Sequence, residues 1–367
     1  MTLPLPLRLA RATTLGALAL GLLAGTALAE PRIDQSLKVA PGGLYEVAVS
    51  PSTKTVYVAS TGKRGENNAR VVALDAETLA TKSSIDVSAS PVFGLGINDE
   101  TQTLYGTDTR GGALVVIDLK TGKVVTSIKA GEKAHVREAI VDPVTNRVYV
   151  SVFGMAARPA KGDRPAMEAT NGQIWIVDGA ANKIEHVIDN PGTGIGGLAL
   201  DSEENRLYAT DMSSHEVIAI DLLKREVAAK YPAGGDSPIN IAIDAKADHL
   251  FVANQGSGEL TVLNAKDGTL LKSVKTGEGA LGVAFNAKTN QVYVSNRKAG
   301  TVSVVDATSY DVVSSLPTGT LPQTVAVDSS TGTVYVSNKA RGVPRDAPKD
   351  TPPVEDPNGD TVSIIRP

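Results

Sequence analysis

Seven aromatic residues, standing at one place in seven copies of a single unit, constrain this chain more than any other feature. They are Tyr57, Tyr105, Tyr149, Tyr208, Phe251, Tyr293 and Tyr335. Seven residues before each lies Ser50, Asn98, Asp142, Asp201, Asp244, Asn286 or Asp328. A small polar side chain there can close a hairpin by bonding its own backbone. The unit is plainest over residues 280–319, where LGVAF, QVYVS, TVSVV and DVVSS are separated by AKTN, NRKAG and DATSY. Short β-branched runs broken by Asn, Asp, Gly and Lys predict a four-stranded antiparallel meander, with strands here lettered A to D. A repeat of about 40 residues built this way marks a propeller blade or a solenoid turn.

Strand C ends at Asp75, Asp118, Asp178, Asp221, Asn264 and Asp306 in the first six copies and at Arg366 in the last, which has no strand D after it. Near the other end, QSLKVAPG (residues 35–42) resembles the fourth strands KSVKTGEG and SSLPTGTL. The N-terminal segment is therefore expected to complete the last blade and close a ring, which removes the free sheet edges a linear solenoid would leave. The expected architecture is all-β: a seven-bladed propeller of four-stranded antiparallel blades, one domain over residues 30–367.

Residues 1–29 stand apart. Arg8 and Arg11 precede a short Ala/Leu/Gly run ending in Ala27-Leu28-Ala29, the pattern of a cleaved secretory signal peptide. A periplasmic or secreted protein is expected, with no integral membrane segment after cleavage. The chain has no cysteine, which excludes thiol nucleophiles, iron–sulfur centres and Cys-ligated zinc. Its formal charge of −4 does not favour a general nucleic-acid binder.

In a blade the B–C and D–A connections share one face. From the aromatic to the end of strand C the spacing is 13 in copies 2, 4, 5 and 6, but 18, 29 and 31 in copies 1, 3 and 7. The excess sits in three B–C loops, residues 60–70, 153–172 and 339–359, all on that face. Long loops on a regular scaffold are common sites of function. They carry Lys63, Arg64, Arg70, Arg158, Lys161, Arg164, Lys339, Arg341 and Arg345, and the blade 6 hairpin adds Arg297 and Lys298.

At the start of strand A, side chains are expected around the channel mouth: Tyr45, Glu46, Phe93, Arg137, Glu138, Asn240, Gln323 and Thr324. Two carboxylates, a guanidinium and amides suit a polar ligand or acid/base work, and Glu46, Arg137 and Glu138 are the catalytic candidates under that alternative. Other motifs read as scaffold. Gly192-Thr193-Gly194-Ile195-Gly196-Gly197 matches G-x-G-x-x-G but precedes a strand rather than a pyrophosphate-binding helix. The four histidines show no metal-binding spacing. Asp356, Asn358 and Asp360 read as a Pro-Asn-Gly turn, because their Gly is misplaced for a calcium loop. Trp175 reads as blade-to-blade packing. No Ser/His/Asp arrangement is evident, and no cofactor or metal is expected.

Tyr293-Val294-Ser295-Asn296 and Tyr335-Val336-Ser337-Asn338, each followed by a T-V-S-[VI] strand, resemble the repeats of the YVTN β-propeller family. YEVAVS, REAIVD, IWIVDG and GLALDSEENRLYAT extend the resemblance along the rest of the domain. It implies a seven-bladed propeller and a periplasmic DNA-binding role without established enzymatic activity, and it assigns no binding residue. The expected function is thus a non-catalytic, monomeric exported scaffold that binds single-stranded DNA or another polyanion through the eleven loop cations above and Arg137. The alternatives are a lactonase-like hydrolase at the channel mouth and a platform for an envelope protein.

Overall fold

In the computed structural model the described residues are 1–2, 30–62, 66–131, 134–155, 157–160, 165–344, 351–352 and 354–366. The expected signal segment lies almost wholly outside them. The described residues form seven four-stranded antiparallel sheets and no helix. Blade 6 shows the pattern: strands Ala280–Asn286, Gln291–Asn296, Thr301–Asp306 and Val312–Leu316 pair in sequence order. The small polar residue at the end of strand A closes the first hairpin as expected. Asn98 Oδ1 accepts from the Glu100 and Thr101 N–H groups at 3.1 and 3.2 Å, and Asp328 Oδ1 from Ser330 and Thr331 at 2.8 and 3.2 Å.

Ring closure follows from the termini. Arg32–Lys38 pairs antiparallel with Thr361–Arg366 and becomes strand D of blade 7. This strand starts and stops earlier than the QSLKVAPG match, because Val39 to Gly43 form the turn into blade 1, as TGEG does between blades 5 and 6.

The core is not central. Seven apolar clusters lie between neighbouring blades, one per interface, including the cluster joining Val47, Val56 and Val72 of blade 1 to Tyr335, Val362 and Ile364 of blade 7. Strands B and C are buried on both sides, so alternate residues serve opposite interfaces: Val56 and Val58 face blade 7, and Tyr57 and Ala59 face blade 2. This explains the recurring aromatic. It spans the interface, and in three blades its hydroxyl donates to the next blade's C–D turn: Tyr208 to Ala265 O at 3.0 Å, Tyr335 to Ala76 O at 2.8 Å and Tyr105 to Gly179 O at 3.5 Å. Trp175 is fully buried among residues of blades 2 and 3, as its packing role requires.

Strand A carries the feature that shapes the mouth. In every blade but the second its register against strand B is broken by a bulge, for example between Leu44 and Val47 and between Val136 and Ala139. A bulge bends the strand and re-aims its side chains. The bulged backbone is held by a strand B hydroxyl. Ser295 Oγ accepts from Gly282 N–H at 2.8 Å and donates to Gln323 O of the next blade at 2.7 Å, and Thr210 does the same for Gly197 and Ile239 at 2.9 and 3.0 Å. Strand A glycines allow this approach, since a Cβ on Gly282 would lie 2.6 Å from Gln323 O.

Candidate binding site at the channel mouth

The bulges aim paired residues at one cavity of about 570 Å³. All eight expected mouth residues, Tyr45, Glu46, Phe93, Arg137, Glu138, Asn240, Gln323 and Thr324, line it. The wall above them comes from the residue just past strand B in five consecutive blades: Thr109, Phe153, Met212, Gln255 and Arg297. These were missed as a set, yet their signal is plain once the topology is known: each stands four residues after a repeat aromatic. B–C turns and strand A starts thus share one face, as the meander requires.

The floor is electrostatically uneven. Glu46 and Glu138 are half-buried beneath the rim. Burial pushes both carboxyls up: Glu46 well above its ordinary value, reinforced by Glu138, and Glu138 to about 7, opposed by Arg137 and the Leu198 backbone. Burial also pulls on Arg137, while Glu138, Glu46 and Tyr45 support its charge. Its guanidinium makes no side-chain hydrogen bond or salt bridge with the described residues, although its backbone carbonyl accepts from Thr107 Oγ1 at 2.8 Å. Room for the Glu46 carboxylate depends on Gly94, where a Cβ would meet Glu46 Oε2 at 3.1 Å. His135 lies tilted against Phe153, with centroids 5.9 Å apart, and burial with the Arg137 charge lowers its pKa. In the neighbouring blade 4 the equivalent positions are Gly196 and Gly197, so the ionisable side chains of the floor come from blades 1 and 3.

The rim joins aromatic faces to cations. Tyr45 and Phe93 meet edge to face with centroids 4.7 Å apart. Lys339 Nζ lies 3.6 Å from the Tyr45 ring centroid, and the Arg110 guanidinium lies 5.2 Å from that of Phe93. Arg110, in the uninserted blade 2 hairpin, was not among the candidates read from the sequence.

The loop cations do not form a uniform surface. Lys63, Arg64, Lys161, Arg164 and Arg345 fall outside the described residues. Arg70 is occupied: it opens strand C of blade 1 and bonds Asp86 at 2.9 Å and Ser88 Oγ at 2.7 Å. Lys298 pairs with Glu278 at 3.0 Å. Arg158 and Arg341 are exposed, and Arg297 reaches the cavity with its Nε buried and unpartnered among the described residues. Asp356 and Asp360 serve the blade 7 loop. Asp356 accepts from Thr320 Oγ1 at 2.8 Å and Arg341 N–H at 3.0 Å, and Asp360 from Gly43 and Ala340 N–H at 2.9 and 3.1 Å. In the G-x-G-x-x-G stretch, Thr193 and Gly194 donate to Asp211 at 3.1 and 2.8 Å, and a strand follows.

Comparison with known proteins agrees with this architecture. The YncE-like β-propeller family model matches residues 171–343. The protein YncE of Escherichia coli K12 is 33% identical over 278 residues, covering 72% of this chain and 74% of its own. The chain belongs to the YncE-like β-propeller family. YncE of Salmonella typhi is similar at 31% over 274 residues, covering 71% and 73%. Both relatives are described as uncharacterized, so membership in the YncE-like family carries the fold and leaves the ligand to be argued from the site.

Proposed function

We propose that this YncE-like propeller is an exported, non-catalytic scaffold that binds single-stranded DNA, or a polyanion like it, across the face bearing the B–C insertions. The observation that carries the proposal is the rim, where Tyr45 and Phe93 stand together with Lys339 and Arg110 over their rings. Single strands are held by aromatic platforms on which bases stack and by cations that follow the phosphates. Phe153 supplies a third ring on the cavity wall. Arg158 and Arg341 stand exposed on the blade 3 and blade 7 loops. Export rests on the expected signal segment, and mass spectrometry of the secreted chain should find its N-terminus at Glu30.

The test is fluorescence anisotropy with a labelled oligo-dT across a salt series. Affinity should fall as salt rises, because bound phosphates release counterions. Replacing Lys63, Arg64, Arg158 and Arg164 by Ser should flatten that dependence, and Phe93→Ala should weaken binding by about tenfold. Absence of binding at low salt, or indifference to both changes, would remove the proposal. Glu138, held at about 7, favours the hydrolase alternative, since an acid/base group works best near the ambient pH. A panel of esters and lactones with Glu138→Gln as control decides it, and turnover unaffected by that change would sink the assignment.

A further inference from the structure

A polymer lying across the rim leaves the cavity floor unused. Arg137 carries five N–H donors, and none is taken by a side chain of the described residues. Leaving such donors partly desolvated is costly unless an acceptor arrives. Beside it lie Glu46 and Glu138. A buried carboxyl kept neutral is an O–H donor and can bond an anion rather than repel it. The Asn240 side chain, with no hydrogen-bond partner among the described residues, also faces this space, and Ile239 and Leu281 give it an apolar wall.

We propose that the cavity floor binds one small organic anion, its carboxylate or phosphate-monoester headgroup held by Arg137 between Glu46 and Glu138 and its apolar body against Ile239 and Leu281. The cavity of about 570 Å³ is in the range of small-molecule sites. The proposal stands apart from the polymer reading, because the floor is filled by a discrete ligand whether or not a strand crosses the rim.

Binding consumes the neutral form of the carboxyls, so it is linked to proton uptake. The titratable or charged groups facing Glu138 across the cavity are Glu46, Arg137, His135, Tyr45 and Arg297. With Glu138 titrating at about 7, affinity should fall about tenfold between pH 6 and pH 8.

Isothermal titration of the mature full-length chain tests this with benzoate and phenyl phosphate as probes and benzamide as the neutral control. At least one anion should bind, and the tighter of the two names the headgroup. Arg137→Gln should lower its affinity by about tenfold or more, and Glu138→Gln should lose most of the fall in affinity between pH 6 and pH 8. The proposal is overturned if neither anion binds, if benzamide binds equally well, or if Arg137→Gln has no effect. Should Arg137→Gln fail to fold, the pH profiles of the wild type and Glu138→Gln decide, and equal profiles reject it. Oligo-dT binding by the same samples reports on the rim, so failure of one reading is told apart from failure of the other.

Discussion

Glu138 shows how one residue couples the channel to the stability of the whole fold. Its folded pKa of about 7 lies above the ordinary 4.5 because burial disfavours the charged carboxylate. Between those values the folded chain holds more protons than the unfolded one, so this residue makes stability fall as pH rises from about 4.5 to about 7. Glu46, shifted in the same direction, adds to the trend. Glu138→Gln removes the titration. It should raise stability at pH 8 by roughly 3 kcal/mol and leave it unchanged at pH 4, measured by thermal melting at both pH values. An equal change at the two pH values would show that the effect is packing and not ionisation. Such a strained carboxyl within a very regular scaffold is what a functional site looks like, since sites retain groups that stability alone would discard.

At the scale of the element, the informative unit is strand A with the hydroxyl behind it. The bulge places two successive side chains at the mouth, and a strand B hydroxyl satisfies both the displaced N–H and a carbonyl of the next blade. Thr210, Ser295 and Ser337 fill this role, Ser337 bonding Tyr45 O across the closure; Thr107 makes the same pair of bonds in the unbulged blade 2, and Ala59 and Ala253 occupy the place in blades 1 and 5. Ser295→Ala should destabilise the protein by about 2 kcal/mol, because two buried backbone groups lose their partner. Ser295→Thr should retain most of the wild-type stability. Urea denaturation compares the two, and a neutral Ser295→Ala would mean that the bulge is held by strand pairing alone. The aromatic, the hairpin-closing Asn or Asp and the strand limits were legible from local chemistry repeated seven times. The bulge was not, since nothing in YEVAV or REAIV differs from an ordinary alternating strand.

For the whole molecule, everything depends on closure. Seven interblade cores need seven interfaces, and the last exists only because Arg32–Lys38 pairs with Thr361–Arg366. Removing residues 30–38 exposes the edge of Thr361–Arg366 to other chains. The truncated chain should melt roughly 10 °C lower or more and self-associate, as read by calorimetry and light scattering. Rejoining 30–38 after residue 367 through a short linker should restore the monomeric melt. Unaltered melting after truncation would show that the ring does not need this strand. Closure itself could be inferred from the chain, because complementary termini are a linear property: a missing strand at one end and a spare one at the other. The number of blades, the shared face of the long loops and the eight mouth residues followed from it by topology. The state of each cation did not. Arg70 opposite Asp86, Lys298 beside Glu278, Lys339 over Tyr45 and Arg110 over Phe93 are contacts between distant or separately oriented segments, and only the folded ring decides which charge meets which partner. The same is true of Glu46, Arg137 and Glu138. Spacing brought them to one mouth, but their protonation depends on how deeply the ring buries them, and burial is a property of the assembled blades.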